Sequence, residues 1–79
     1  MVKLMVTMNI QLKSVDTVRN FVKEVTNMDG RFDLISDRYI VDAKSLLSIF
    51  YLDLTRPMQL KIDTPYAGNV DRLRNYEIP

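Results

Sequence analysis

The chain contains no cysteine and no histidine among its 79 residues. Without cysteine it cannot form a disulfide, supply a thiol nucleophile or bind a metal through sulfur. Without histidine it also lacks the most common general base and metal ligand. These absences, together with a size too small to enclose a deep substrate cavity, predict that the chain is not an enzyme and needs no metal or other cofactor.

The chain also lacks an excess of charge of one sign. Eleven Lys and Arg residues stand against ten Asp and Glu residues, which gives a net charge of +1. Proteins that bind nucleic acid or anionic membranes usually carry a clear positive excess. A continuous apolar run of the kind found in secretion signals and membrane spans is missing from the first ten residues, where Lys3, Thr7 and Asn9 interrupt the apolar positions. We therefore expect a cytoplasmic protein with neither nucleic-acid nor membrane partners.

What is present is the composition of an ordinary folded domain. Hydrophobic residues make up 47% of the chain and charged residues 27%, in the range of globular proteins. Seventy-nine residues allow one domain with one thin core. The sequence thus predicts a single domain over residues 1–79.

Alternating apolar and polar residues predict four β-strands. The alternation is strict over residues 2–10, starting at Val2, and returns over residues 58–63. Two short runs rich in β-forming residues, 32–35 and 39–41, are separated by a turn-like segment and predict a hairpin.

Helical spacing predicts two helices and suggests a third. The first helix should begin after Ser14, whose hydroxyl can accept a hydrogen bond from a free backbone amide, and should end at Asp29-Gly30. A short second helix should begin after Ser45, and a weaker pattern behind Asn69 predicts a turn or two of terminal helix. The apolar stripe of the first helix consists of Val18, Phe21, Val22, Val25 and Met28.

The resulting order of elements is β-α-β-β-α-β with a possible final α. Each strand has one apolar and one polar face, so the sheet needs helices on one side only. The sequence therefore predicts an α+β fold in which a four-stranded antiparallel sheet is covered by helices on a single face.

Three short segments resemble one known family. They are Phe-Val-Lys-Glu at 21–24, Ala-Lys-Ser-Leu-Leu at 43–47 and Leu-Asp-Leu at 52–54. With the order of elements, they are similar to HPr, the histidine-containing phosphocarrier of the bacterial sugar phosphotransferase system. The resemblance covers about residues 1–63 and implies an open-faced β-sandwich of order βαββαβα. It also implies protein partners among the enzymes and regulators of that system.

The phosphate-accepting motif of that family is absent. Family members carry a His-x-Arg-Pro motif just before the first helix, and its His, Arg and Pro positions fall on Ser14, Asp16 and Thr17 when counted back from Phe21. A serine ester releases phosphate far less readily than a phosphoimidazole, and Asp16 would repel an incoming phosphate. The resemblance therefore indicates a relative that cannot carry phosphate on histidine.

Two other family features are retained in the second helix. Ser45 matches a serine that a dedicated kinase phosphorylates in Gram-positive relatives, with an unmodified N-cap residue as the alternative. Leu46, Leu47 and Phe50 match the exposed apolar positions through which HPr-like proteins dock their partners. At least one of them should be exposed, because positions i, i+1 and i+4 cannot all face a core on one side. The alternatives are a core completed by the C-terminal segment and a contact between two copies.

Three functions follow as hypotheses. The leading one is a non-catalytic HPr-like regulatory or adaptor protein. The first alternative is a signalling partner in phosphotransferase regulation that a serine kinase phosphorylates at Ser45. The second is a small enzyme subunit or nucleic-acid-binding module that uses the open face of the sheet. Asp33, Asp37 and Asp42 form a set of carboxylates that we expect to be solvated rather than to bind a metal.

Overall fold

A computed structural model describes residues 3–79. Val2, where the first predicted strand begins, lies outside the described residues. The elements follow the predicted order and add the final helix, so the fold is α+β with three helices. They are β1 (Leu4–Ile10), α1 (Val15–Thr26), β2 (Arg31–Ser36), β3 (Tyr39–Asp42), α2 (Leu46–Ile49), β4 (Met58–Thr64) and α3 (Ala67–Leu73), followed by a 3₁₀ turn, Arg74–Tyr76.

Within residues 3–79 the strands form one antiparallel sheet in the order β1-β4-β2-β3. β4 lies between β1 and β2, with Leu60 opposite both Met8 and Leu34. β2 and β3 form the predicted hairpin, and its two-residue turn has Asp37 at φ 53°. Aspartate tolerates this left-handed conformation better than most residues.

One face of the sheet carries the core, as the alternation in the strands predicts. The buried side chains of the strands meet those of the helices on this face, while the other face of the sheet stays open. The strand residues of the core are Met8, Ile10, Phe32, Leu34, Met58, Leu60 and Ile62, and the helix residues are Val18, Phe21, Val25, Ile49, Val70 and Leu73.

α1 begins as predicted and ends earlier than predicted. Ser14 is its N-cap residue, but the helix ends at Thr26 rather than at Asp29-Gly30. The side chains of Thr26 and Asn27 donate hydrogen bonds to backbone carbonyls one turn earlier, at 2.7 and 3.1 Å. Such bonds compete with continuation of the helix. Gly30 lies in the connecting segment with φ +134°.

α3 begins three residues earlier than the sequence pattern predicts, at Ala67 rather than at Val70. Asn69 is inside the helix rather than at its start, and its side-chain amide donates to Thr64 Oγ1 at 2.9 Å and to the carbonyl of Asp29 at 3.2 Å. The buried Thr64 hydroxyl also donates to the Asp29 carbonyl at 2.7 Å. These bonds hold the end of β4, the start of α3 and the α1–β2 connection together.

None of the helices within residues 3–79 has both the length and the apolar character needed to cross a membrane.

Candidate protein-binding surface

The residues that the resemblance aligns with the His-x-Arg-Pro motif lie at the start of α1, and the first of them caps the helix. Ser14 Oγ accepts a hydrogen bond from the backbone N–H of Thr17 at 3.1 Å, and the two hydroxyls lie 2.8 Å apart. Both the predicted N-cap residue and the predicted cap hydrogen bond are thus confirmed. Asp16 is exposed in the first turn of α1, where its carboxylate interacts favourably with the positive end of the helix dipole.

Ser45 is the N-cap residue of α2, but its side chain does not cap the helix. The hydroxyl donates to Ser48 Oγ at 2.9 Å, and in the described part of the chain it accepts no cap hydrogen bond from a backbone amide of α2. The backbone does continue into the helix, because the Ser45 carbonyl accepts from the N–H of Ile49 at 3.2 Å. The prediction of a side-chain cap is therefore wrong. The Ser45 hydroxyl is instead directed toward the hydroxyl of Ser48.

The apolar residues of α2 divide between the core and solvent. Ile49 is fully buried, and Leu46 is half-buried against the core. Leu47 is 76% exposed, which confirms that at least one of the three predicted docking residues faces solvent, and Phe50 is 39% exposed. The alternative in which all three lie in the core is wrong.

Tyr51 extends this exposed surface and is 91% exposed. The sequence does not predict it as a docking residue, although it directly follows Phe50 in the apolar run from Leu46 onward. Leu47, Phe50 and Tyr51 together line a shallow depression, which we call the α2 patch. The patch replaces the predicted set of Leu46, Leu47 and Phe50, because Leu46 turns toward the core.

The predicted site residues lie on two helices. Ser14, Asp16 and Thr17 are at the start of α1, whereas Ser45 and the docking residues belong to α2. α1 and α2 are in contact, but the hydrogen bonds of Ser14 and of Ser45 described above stay within their own helix ends.

The open face of the sheet carries mixed charges. Its strand positions include the cations Arg31 and Lys61 and the carboxylates of Asp33, Asp42 and Asp63. Arg31 pairs with Asp33 at 3.2 Å. This face therefore has a slight excess of negative charge at these positions, which is unlike the basic surfaces that bind nucleic acids.

The three aspartates considered as a carboxylate set are spread along the hairpin. Asp33 and Asp42 are opposite each other across β2 and β3, while Asp37 is in the turn and lies 3.7 Å from Arg56. Within residues 3–79 no group of three or more acidic side chains is arranged to hold a metal ion.

A scan against protein-family models and a search of curated proteins found no match to this chain.

Proposed function

We propose that this chain is a non-catalytic, HPr-like protein-binding module that docks a partner through the α2 patch. The observation that carries the proposal is the exposure of Leu47, Phe50 and Tyr51 at one site. Leucine and aromatic side chains exposed side by side are uncommon on a surface that binds nothing, and aromatic residues are enriched in protein interfaces. The patch coincides with the helix through which the resemblance predicts docking.

The geometry of the α1 start supports a module without phosphocarrier activity. The Ser14 hydroxyl is engaged by Thr17, and the Asp16 carboxylate occupies the turn where an anion would otherwise be favoured. With no histidine in the chain, an adaptor or regulatory role in the cytoplasm fits better than phosphate transfer. The partners that the resemblance suggests are phosphotransferase enzymes or regulators.

The open sheet face supports the nucleic-acid alternative less well. Three carboxylates and two cations occupy its strand positions, and the described side chains of β1, β2 and β4 on this face include no aromatic ring on which a base could stack. Binding of single strands relies on a positive groove and on such stacking.

Replacement of Leu47 tests the docking proposal. Leu47→Lys places a charge on an exposed position, so the free energy of unfolding should change by no more than about 0.5 kcal/mol. Binding to purified phosphotransferase proteins, measured by calorimetry, should weaken at least about tenfold, because apolar anchors carry much of the binding free energy of an interface.

Met5→Lys provides the matched control. Met5 is 69% exposed and lies on the open sheet face, away from α2. We expect this variant to bind as the original chain does. Equal affinity of the Leu47→Lys and original chains for every phosphotransferase protein, or absence of binding in all cases, would contradict the proposal.

Phosphorylation of Ser45 is a second candidate because of where the side chain lies. Ser45 is half-buried, its hydroxyl contacts only another hydroxyl in the hydrogen bonds described above, and it directly precedes Leu46 and Leu47. A phosphate here would add nearly two negative charges beside the α2 patch and alter docking. An HPr-type serine kinase should therefore label the original chain but not Ser45→Ala. Absence of label on the original chain would leave Ser45 with a structural role only.

A further inference from the structure

β3 is an edge strand whose outer backbone groups can be identified from its pairing with β2. The amide of Ala43 donates to the carbonyl of Phe32 at 2.8 Å, and Ile35 is opposite Ile40. Hydrogen-bonded and non-bonded pairs alternate along an antiparallel ladder. The Phe32–Ala43 pair is bonded, so the Ile35–Ile40 pair is not, and the N–H and C=O of Ile40 point away from β2.

The side chains at this edge are apolar and exposed. Ile40 is 67% exposed and Tyr39 is 63% exposed, on opposite faces of the strand. Edge strands are usually protected by shortness, charged residues, proline or a bulge. β3 is short and ends with the charged Asp42, but positions 39–41 contain only Tyr, Ile and Val in regular register with β2. The outer edge of β3 therefore has the features of a strand that pairs further.

The other edge of the sheet differs, because the C-terminal segment covers part of it. The N–H of Ile78 donates to the carbonyl of Asn9 at 2.9 Å, and the N–H of Gln11 donates to the carbonyl of Tyr76 at 3.4 Å. The end of β1 is thus paired within the chain itself.

The charges on either side of Ile40, on Arg38 in the turn before β3 and on Asp42 at the end of β3, match those of a second copy of this edge. Arg38 and Asp42 each lie two residues from Ile40, and both are exposed. In an antiparallel pair of two β3 strands with Ile40 opposite Ile40, the turn residue Arg38 of each copy comes next to Asp42 at the end of the other copy's β3. Opposite charges stabilise such cross-strand pairs. A shift of the register by two residues would instead place Ile40 opposite Arg38 or Asp42, so the charges select one register.

We propose that β3 pairs antiparallel with β3 of a second copy of this chain, about a two-fold axis at Ile40. Two four-stranded sheets would then join into one continuous sheet with a self-complementary interface. β3 has only four residues, so the interface falls below the roughly 800 Å² per partner of a typical stable complex. The dimer should therefore form reversibly and depend on concentration.

Sedimentation of the full chain between about 10 μM and 1 mM tests the proposal. We expect a rising fraction of dimer over this range. Ile40→Pro removes the outward N–H without removing a bond to β2, and proline is tolerated at such edge positions. This variant should remain folded by circular dichroism and bind its copy at least about tenfold more weakly. Thr7→Pro, at an outward position of β1, should leave the dimer unchanged.

Charge exchange tests the register. Arg38→Asp alone places aspartates next to each other and should weaken the dimer about tenfold, as should Asp42→Arg alone. A mixture of the two variants pairs each new charge with its opposite and should restore association between them. Arg19→Asp makes the same charge change on the exposed face of α1 and should have no effect.

Several outcomes would overturn the proposal. A chain that stays monomeric up to about 1 mM would contradict the dimer, and the edge of β3 would then be a site for an extended segment of another protein. A dimer that Ile40→Pro does not affect but Leu47→Lys abolishes would place the interface at the α2 patch. Because Asp42 Oδ1 also accepts from the N–H of Lys44 at 2.8 Å, Asp42→Arg can lower stability. If Asp42→Arg is destabilised, the effects of Ile40→Pro and Arg38→Asp on the dimer are sufficient to test the pairing of the two β3 strands.

Discussion

At the scale of single residues, the two glycines have different roles. Gly30 has φ +134°, and a Cβ on it would lie 2.5 Å from the backbone carbonyl oxygen of Asp63. Any side chain here would strain the backbone and collide with β4. Gly68 is in α3, and a Cβ there would meet no atom within 4 Å.

Exchange of each glycine for alanine should therefore change stability in opposite directions. We expect Gly30→Ala to lower the free energy of unfolding by about 2–4 kcal/mol, because β4 backbone must move to accommodate the methyl group. Gly68→Ala should raise it by about 0.5–1 kcal/mol, since alanine loses less backbone entropy in a helix. Urea unfolding of the two variants measures both effects. Similar changes in both would show that the Gly30 segment relaxes freely.

At the scale of the elements, the C-terminal segment is held to α1 by one aromatic contact. The rings of Phe21 and Tyr76 meet edge to face, with centroids 5.2 Å apart and planes at 85°. Phe21 is fully buried and Tyr76 is half-buried. Burial raises the pKa of the Tyr76 hydroxyl above its usual value of 10.0, and the nearby Glu24 carboxylate adds to the shift.

This raised pKa predicts how alkaline pH affects stability. Above the usual tyrosine pKa of 10.0, the unfolded chain releases the Tyr76 proton while the folded chain retains it. The stability that the protonated Tyr76 hydroxyl contributes is thus fully present below pH 10.0. It is lost as the pH rises through the pKa of Tyr76 in the folded chain.

Tyr76→Phe should remove the part of the alkaline decrease in stability that comes from the Tyr76 hydroxyl. Urea unfolding of the original and Tyr76→Phe chains between about pH 8 and 11 measures it as a difference, so that the other titrating groups cancel. As the pH rises, the free energy of unfolding of the original chain should decrease more steeply than that of Tyr76→Phe. A constant difference over the whole range would contradict the prediction.

Local spacing predicts the middle of the helices better than their ends. The stripe through Val18, Phe21 and Val25 is buried as the helical period requires. The starting point of α3, by contrast, depends on bonds from Asn69 to Thr64 and to Asp29, which lies 40 residues away. Such contacts leave no periodic signal. For the same reason the exposed set on α2 could be predicted only in part, because the turn of Leu46 toward the core depends on packing.

At the scale of the whole molecule, the sequence predicts the order of elements along the chain but not the order of strands in the sheet. The alternation in residues 4–10 and 58–64 identifies which side chains share a face. The alternation contains no information on which strands lie next to each other in the sheet. In the structure β4, the last strand in sequence, lies between β1 and β2. Its residues pair with partners more than 20 positions away, and this pairing brings β1 and β2 together with β4 around one core.

The central position of β4 predicts the pattern of amide hydrogen exchange. Because β4 pairs with β1 on one side and β2 on the other, successive backbone amides along it alternate between the two neighbours. The amides of Leu60 and Ile62, beneath fully buried side chains, should exchange only when the whole domain unfolds. The Ile40 amide points outward from β3 and should exchange quickly in dilute monomer.

Exchange followed by NMR at two protein concentrations measures this pattern and connects it to the proposed dimer. In dilute solution the amide of Leu60 should exchange several orders of magnitude more slowly than the amide of Ile40. The Leu60 amide is exposed only when the whole domain unfolds, which costs the global free energy of unfolding. At high concentration Ile40 should gain protection while Val41, already bonded to β2, changes much less. If Leu60 exchanged as fast as Val41, then β4 would not be the last element to open, and the sheet would unfold in separate parts.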